Sequence, residues 1–405
     1  MADSPPADPL PLAGIKVLEL ASWVMAPAAA GLMANFGADV IKIEPAGGGD
    51  PSRGSTAIVQ GTVIEPGFEL ANGGKRSVQI DVASATGQRA VYEILAGCDV
   101  FVTNVRASGL ERAGLTPSVL AERYPRLIIA HATGYGPLGA HANRPAFDEL
   151  AYWSRSGIAA ILRRGSDDPV GLVGAMGDLP SASALLSGIL MALLRRHQTG
   201  RGGIVDVSLL QCGLWTNGWA LQPALAGAAR RPRGDRLHPM SPLYTMYQCR
   251  DGEWVQLAMP QPDRYWGVFC EAIGRPELAT DERFANRAAL IANAPEAAAL
   301  IQETFSHLGI EEVTQILDRA DVPWSPILEV PDVLADEQSR VNGYITSKAH
   351  RSGVQIETIG PPFSLRGTSP LLRPAPEAGQ DTELVLSELG LSWDEIASVR
   401  GTGTA

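Results

Sequence analysis

The residues most open to chemistry lie in Gly174-Ala175-Met176-Gly177-Asp178-Leu179-Pro180. A carboxylate stands between a glycine-rich turn and a proline that opens a helix, and its small neighbours let a bulky ligand approach. Two readings fit these residues alone: an Asp that caps a helix, and a carboxylate that meets a substrate. A second stretch, Gly134-Tyr135-Gly136-Pro137-Leu138-Gly139, formally matches GxGxxG. That motif needs a helix opening within it to aim backbone N–H groups at a pyrophosphate. Pro137 inside it, and the loop-like His141–Pro145 after it, favour a plain turn over a nicotinamide site. GxSxG, GxxxxGK[ST] and HExxH do not occur. His131, His141, His197, His238, His307 and His350 show no metal-ligand spacing, so no metal is expected. Cys98, Cys212, Cys249 and Cys270 are far apart, which fits a reducing, cytoplasmic setting without a zinc cluster or disulfide framework.

The elements that would carry these residues alternate. Ile15–Leu20 reads as a strand, Ala26–Phe36 as a helix with Pro27 in its first turn, and Ala38–Glu44 as a second strand. This βαβ unit implies a parallel pair with a right-handed crossover. The pattern repeats: a strand at Ser77–Asp81, a helix capped by Ser84, a strand at Asp99–Thr103, a helix opened by Thr116-Pro117, and a strand at Leu127–Ala130. Strands alternating with helices predict a doubly wound α/β sheet. Pro180 precedes a long apolar helix ending near His197, and Ile204–Ser208 is a further strand. The apolar run Ala182–Leu194 is shorter than the ~20 residues a membrane span needs, and reads as a buried helix.

Domain boundaries follow from composition. Residues 1–13 read as a flexible tail without a signal segment, 14–229 as the first part of a large domain, and 230–237 as an Arg/Pro-bearing linker. Residues 238–330 read as a small α+β domain, with a hairpin around Asp251-Gly252, and 331–405 as a loop-rich return to the large domain. Lys and Arg number 33 against 44 Asp and Glu, a net charge of −11. That argues against nucleic acid or an anionic membrane as the main partner.

Four blocks in order resemble the family III, formyl-CoA transferase-like (CaiB–BaiF) CoA-transferases. They are Gly14–Leu20; Phe36–Pro45 with Gly49-Asp50-Pro51; Lys75–Val78 through Asp81; and Gly177-Asp178 with Thr199–Gly203. The resemblance covers roughly residues 12–400. It implies a Rossmann-like large domain that binds coenzyme A, a smaller domain packed over it, and an interlocked homodimer. Coenzyme A enters as acyl-CoA substrate, with no tightly bound cofactor. The family's catalytic carboxylate maps to Asp178, whose ionised form a helix N-terminus should favour.

The resemblance also sketches the binding residues. Asn104-Val105-Arg106 and the downstream Arg112 match the turn near the nucleotide, and Lys75 and Arg76 lie in another segment that borders coenzyme A in relatives. Trp23-Val24-Met25 stands where relatives acting on formate and oxalate carry a Gln; Trp23, Val24, Met25, Phe147 and Asp148 are the substrate-binding candidates, and Trp23, Met25, Phe147, Tyr152 and Trp153 would suit a larger or more apolar acyl group. Core packing is the alternative for these side chains. Racemases of the same fold superfamily carry a His and a Glu as acid and base. Phe147 and Thr245 stand at those positions, so no racemisation is expected.

Overall fold

The computed structural model describes residues 9–163, 168–228, 236 and 238–400. The expected linker lies almost wholly outside these. Six strands form one parallel sheet: β1 (Lys16–Leu20), β2 (Asp39–Glu44), β3 (Arg76–Gln79), β4 (Val100–Thr103), β5 (Ile128–Thr133) and β6 (Gly203–Ser208), in the order β3-β2-β1-β4-β5-β6. This is a doubly wound order, in which the direction of winding reverses between β1 and β4 while every strand stays parallel.

Both sheet faces are covered, so apolar residues run continuously along the strands. Val17, Val40, Val100, Val102 and Ala130 face α1 (Met25–Asn35) and α6 (Asp178–Thr199). Leu18, Ile41, Phe101 and Ile129 face the other layer, with α3 (Ala85–Ala96), α4 (Ala107–Ala113) and α5 (Pro117–Arg123). The caps expected at Ser84 and Thr116 are present, each side chain accepting a backbone N–H three residues on. Between α1 and β3 lies α2 (Pro66–Asn72), close enough that a Cβ on Gly31 of α1 would sit 2.3 Å from the Ala71 carbonyl oxygen.

The helix α6 has 22 residues and is, by length and composition alone, long and apolar enough to cross a membrane. This corrects the expectation drawn from the shorter Ala182–Leu194 run. In the fold, its Ala182, Leu185, Leu186 and Ile189 are buried in the core against α1.

The chain divides into two compact units: Met1–Ala159, Gly171–Ala226 and Ser339–Ala405 form one, and Ala160–Val170 with Gly227–Gln338 form the other. The second unit holds a three-stranded antiparallel sheet of β7 (Met246–Gln248), β8 (Trp254–Leu257) and β9 (Trp324–Pro326) around its own core. The return, expected to be loop-rich, adds a hairpin, β10 (Ile345–Ala349) with β11 (Gln355–Ile359). Helices α7 (Thr382–Glu388) and α8 (Trp393–Arg400) then cover the second face of the large sheet with Val385, Leu386, Ile396 and Val399.

Candidate active site

At the sheet's switch point, α1 leaves β1 on one face and α4 leaves β4 on the other, the place where open α/β sheets have their ligand crevice beyond the strand ends. Asn104 ties its two rims together. Its Nδ2 donates to the Ser22 carbonyl at 2.7 Å, and its Oδ1 accepts the Ser22 N–H at 3.1 Å. The Thr103 hydroxyl donates to the Leu20 carbonyl and accepts the Val105 N–H. Arg106 follows at the N-cap of α4, and Arg112 lies in its last turn; both side chains are exposed.

Beside this crevice Trp23 adopts φ +69°. A left-handed backbone costs a bulky residue about 1–2 kcal/mol, so something must hold it. The Trp23 N–H donates to Asp50 Oδ1 at 3.1 Å. Its indole meets Phe147 edge-on, with centroids 5.4 Å apart and planes at 88°. Trp23 is 44% and Phe147 49% exposed, so this aromatic pair is open on one side. Met25 is different: it is buried in the core, and Val24 packs partly against it. Met25 therefore supports α1 and presents no surface to a substrate.

The candidate nucleophile sits at the start of α6. Gly177 is the N-cap residue and makes no side-chain cap. The capping work falls to buried Asp148, 29 residues before Gly177, whose Oδ2 accepts the N–H of Gly177 at 2.9 Å and of Asp178 at 3.3 Å. The Asp178 carboxylate is thus not the cap. It is partly buried, and burial first, then the negative charges of Asp148 and Glu149, push its pKa up to about 7. The expectation that the helix end would keep it readily ionised is corrected: desolvation and two like charges outweigh the dipole. Gly177 makes the close approach possible, since a Cβ there would lie 2.7 Å from Tyr152 Cγ and 2.8 Å from Asp148 Cβ. Tyr152 is held in turn by its hydroxyl contact with Thr216 at 2.9 Å.

Two expected coenzyme A contacts have other uses. Lys75 is buried, and its ammonium donates to Glu19 at 2.6 Å, Asn72 at 2.7 Å and the Pro27 carbonyl at 2.8 Å. Three donors with three internal acceptors leave none for a phosphate. Arg76 opens β3 at the N-terminal end of the sheet, opposite Asn104, and pairs with Asp39 and Glu388. Sequence reasoning missed the network beside Lys75. Lys42 Nζ lies 2.7 Å from Glu19 Oε1 and 2.8 Å from Asp50 Oδ2, and donates to the Ala21 carbonyl. The signal was a charged residue inside each of two apolar strands covered on both faces. The GxGxxG stretch forms a turn with no helix opening in it.

Residues 12–382 match the profile of CoA-transferase family III. The chain belongs to that family. It is 34% identical over 388 residues to the (R)-2-hydroxy-4-methylpentanoate CoA-transferase of Clostridioides difficile, covering 95% of this chain and 97% of the relative. It is 31% identical to the cinnamoyl-CoA:phenyllactate CoA-transferase of Clostridium sporogenes, covering 95% and 94%. A CaiB/BaiF family protein from Brucella suis has the same fold, with a TM-score of 0.82 at 28% identity, covering 94% of this chain and all of that one. This family III CoA-transferase therefore carries its Asp178 and its aromatic pair on a fold shared with that CaiB/BaiF family protein.

Proposed function

We propose that the enzyme moves coenzyme A from an acyl-CoA to a carboxylic acid through Asp178. The Asp178 carboxylate attacks the donor thioester carbonyl, the C–S bond breaks, and coenzyme A leaves as thiolate. The thiolate attacks the aspartyl carbonyl of the mixed anhydride and releases the donor acid. An acceptor carboxylate then attacks the aspartyl-CoA thioester, and the returning thiolate takes the acceptor acyl group and frees Asp178. Each step exchanges one acyl bond for another, so covalent catalysis divides a hard transfer into easier ones. The observation that carries this reading is that Asp148, and not Asp178, satisfies the helix N–H groups. The Asp178 carboxylate is left for the substrate, and its raised pKa makes it a stronger nucleophile once ionised.

Asn104, Val105, Arg106 and Arg112 are assigned to coenzyme A, the two arginines as charge-assisted donors to its phosphates. The open aromatic pair Trp23–Phe147 is assigned to the acyl group. The four cysteines are free, as a cytoplasmic setting would leave them. A homodimer belongs to the same reading: Trp215 and Trp219 are 87% and 95% exposed, a large apolar area for a lone protomer.

The test is trapping. With a donor acyl-CoA, hydroxylamine should convert the aspartyl thioester into a hydroxamate on the peptide containing Asp178, and Asp178→Asn should bind coenzyme A without turnover. Near-native transfer by Asp178→Ala, or modification of another peptide, would refute the mechanism.

A further inference from the structure

The buried charges beneath the crevice share one target, the segment from Ala21 to Pro27, which runs from the loop after β1 into the first turn of α1. Lys75 holds the Pro27 carbonyl and Lys42 holds the Ala21 carbonyl, both anchored on Glu19. Between these two points Asp50 takes the N–H of Trp23, the residue in the left-handed conformation. Asp50 is itself fixed from three sides. Its N–H donates to Glu44 at 2.7 Å, its Oδ2 faces Lys42 at 2.8 Å, and its Oδ1 accepts the Ser52 N–H and hydroxyl at 2.9 and 2.7 Å. Glu44 is in turn gripped by Arg53. A bulky residue with positive φ, held by a buried carboxylate and ending in a half-exposed indole, is a preset wall.

We propose that Asp50 is a positioning residue for acyl selection: by holding Trp23 against Phe147 it shapes the site for acids that carry an aryl or branched apolar side chain. The proposal rests on the transfer reading above and adds the class of acid. Neither Asp50 nor Trp23 takes part in bond making. A substrate ring or branched chain lies against the open face of the pair, where aromatic contact favours it over a methyl group.

Lactate and 3-phenyllactate differ by a phenyl group alone, so the ratio of their kcat/KM values as acceptors from one acyl-CoA donor reads the wall directly. In the intact enzyme the ratio should favour phenyllactate. Trp23→Gly, which removes the indole and suits the backbone, should lower it at least tenfold, mainly through the KM of phenyllactate. Asp50→Asn should lower it in the same direction, because one amide oxygen cannot serve both Lys42 and the Trp23 N–H. The double variant should fall no further than Trp23→Gly. If Asp50→Asn does not fold, Ser52→Ala loosens Oδ1 and should move the ratio the same way. A ratio unchanged by Trp23→Gly, or an equal loss for both acids in Asp50→Asn and Ser52→Ala, would overturn the inference. An intact enzyme that moves coenzyme A to no carboxylic acid would instead overturn the transfer reading beneath it.

Discussion

Asp148 accepts the backbone N–H of Asp178 through one carboxylate oxygen, so two acidic residues meet at one helix end with divided roles. Asp148 closes the helix, and Asp178 is left desolvated beside a like charge. The arrangement stabilises the backbone while destabilising the carboxylate, which suits a group that must leave its ground state and attack.

Activity should therefore fall on the acid side of about pH 7. The attacking form is the carboxylate, so kcat/KM should drop about tenfold per pH unit below that point. Stability carries the opposite sign. The folded chain keeps the Asp178 proton up to about pH 7, whereas an unfolded chain releases it near 3.8. Between these values the folded state binds more protons, so this group's contribution weakens as pH rises and is at its worst above pH 7. Asp178→Asn should be more stable than the parent at pH 8, by about 1–2 kcal/mol after discounting for solvent screening, and no more stable near pH 4. Thermal unfolding at the two pH values checks this.

Replacing Asp148 separates its two effects. Asp148→Asn keeps an acceptor oxygen for Gly177 and Asp178 but removes one of the two charges that, after burial, raise the Asp178 pKa. The acid limb of the rate profile should move to lower pH with little loss of stability. Asp148→Ala also strips two backbone N–H groups of their acceptor, at a cost of about 1–2 kcal/mol. A pH–rate profile and a denaturant titration of both variants distinguish charge from capping.

The parallel sheet and most of its strands were legible because apolar runs and turn residues repeat at regular spacing. Strand β2, expected at Ala38–Glu44, is Asp39–Glu44, and the Ser84 and Thr116 caps stand where expected. What was not legible lies where tertiary contacts decide. Nothing local says that Asp148 would cap a helix 29 residues away at Gly177. The resemblance puts Lys75 at coenzyme A, and only the position of Glu19 on β1, two strands from β3, turns it inward. Hairpin β10–β11 carried a Ser352-Gly353 turn signal between short apolar stretches, but its strands alternate weakly.

The Lys75 ammonium is a second titration to measure. Burial, reinforced by Lys42 and opposed by Glu19, pushes its pKa down to about 8. An unfolded chain holds that proton to about 10.5. Between these values the unfolded state binds more protons, so this group's contribution to stability rises with pH from about 8 to 10.5. Lys75→Met should lose that rise. Glu19→Gln should be far more harmful, about 3–5 kcal/mol, because one oxygen cannot answer two buried ammonium groups. Denaturant midpoints across pH 7–10 for the parent and both variants provide the comparison.

Gly177 tests whether the approach of helix and carboxylate is as tight as its contacts require. Its φ of −90° suits any residue, so a substitution there meets side chains and no backbone penalty. A Cβ would lie 2.7 Å from Tyr152 Cγ and 2.8 Å from Asp148 Cβ. Tyr152 cannot retreat easily, because it is packed in the core and held at Thr216. Asp148 cannot retreat without dropping the N–H groups it accepts. Gly177→Ala should cost about 1–3 kcal/mol by overpacking. It should also cut kcat by more than about a hundredfold, since a shift near 1 Å at a reacting group has effects of that size. Gly171→Ala is the matched control, as its Cβ meets nothing within 4 Å. If Gly177→Ala transferred coenzyme A as fast as Gly171→Ala, Asp178 would not depend on the placement that Asp148 and Tyr152 enforce.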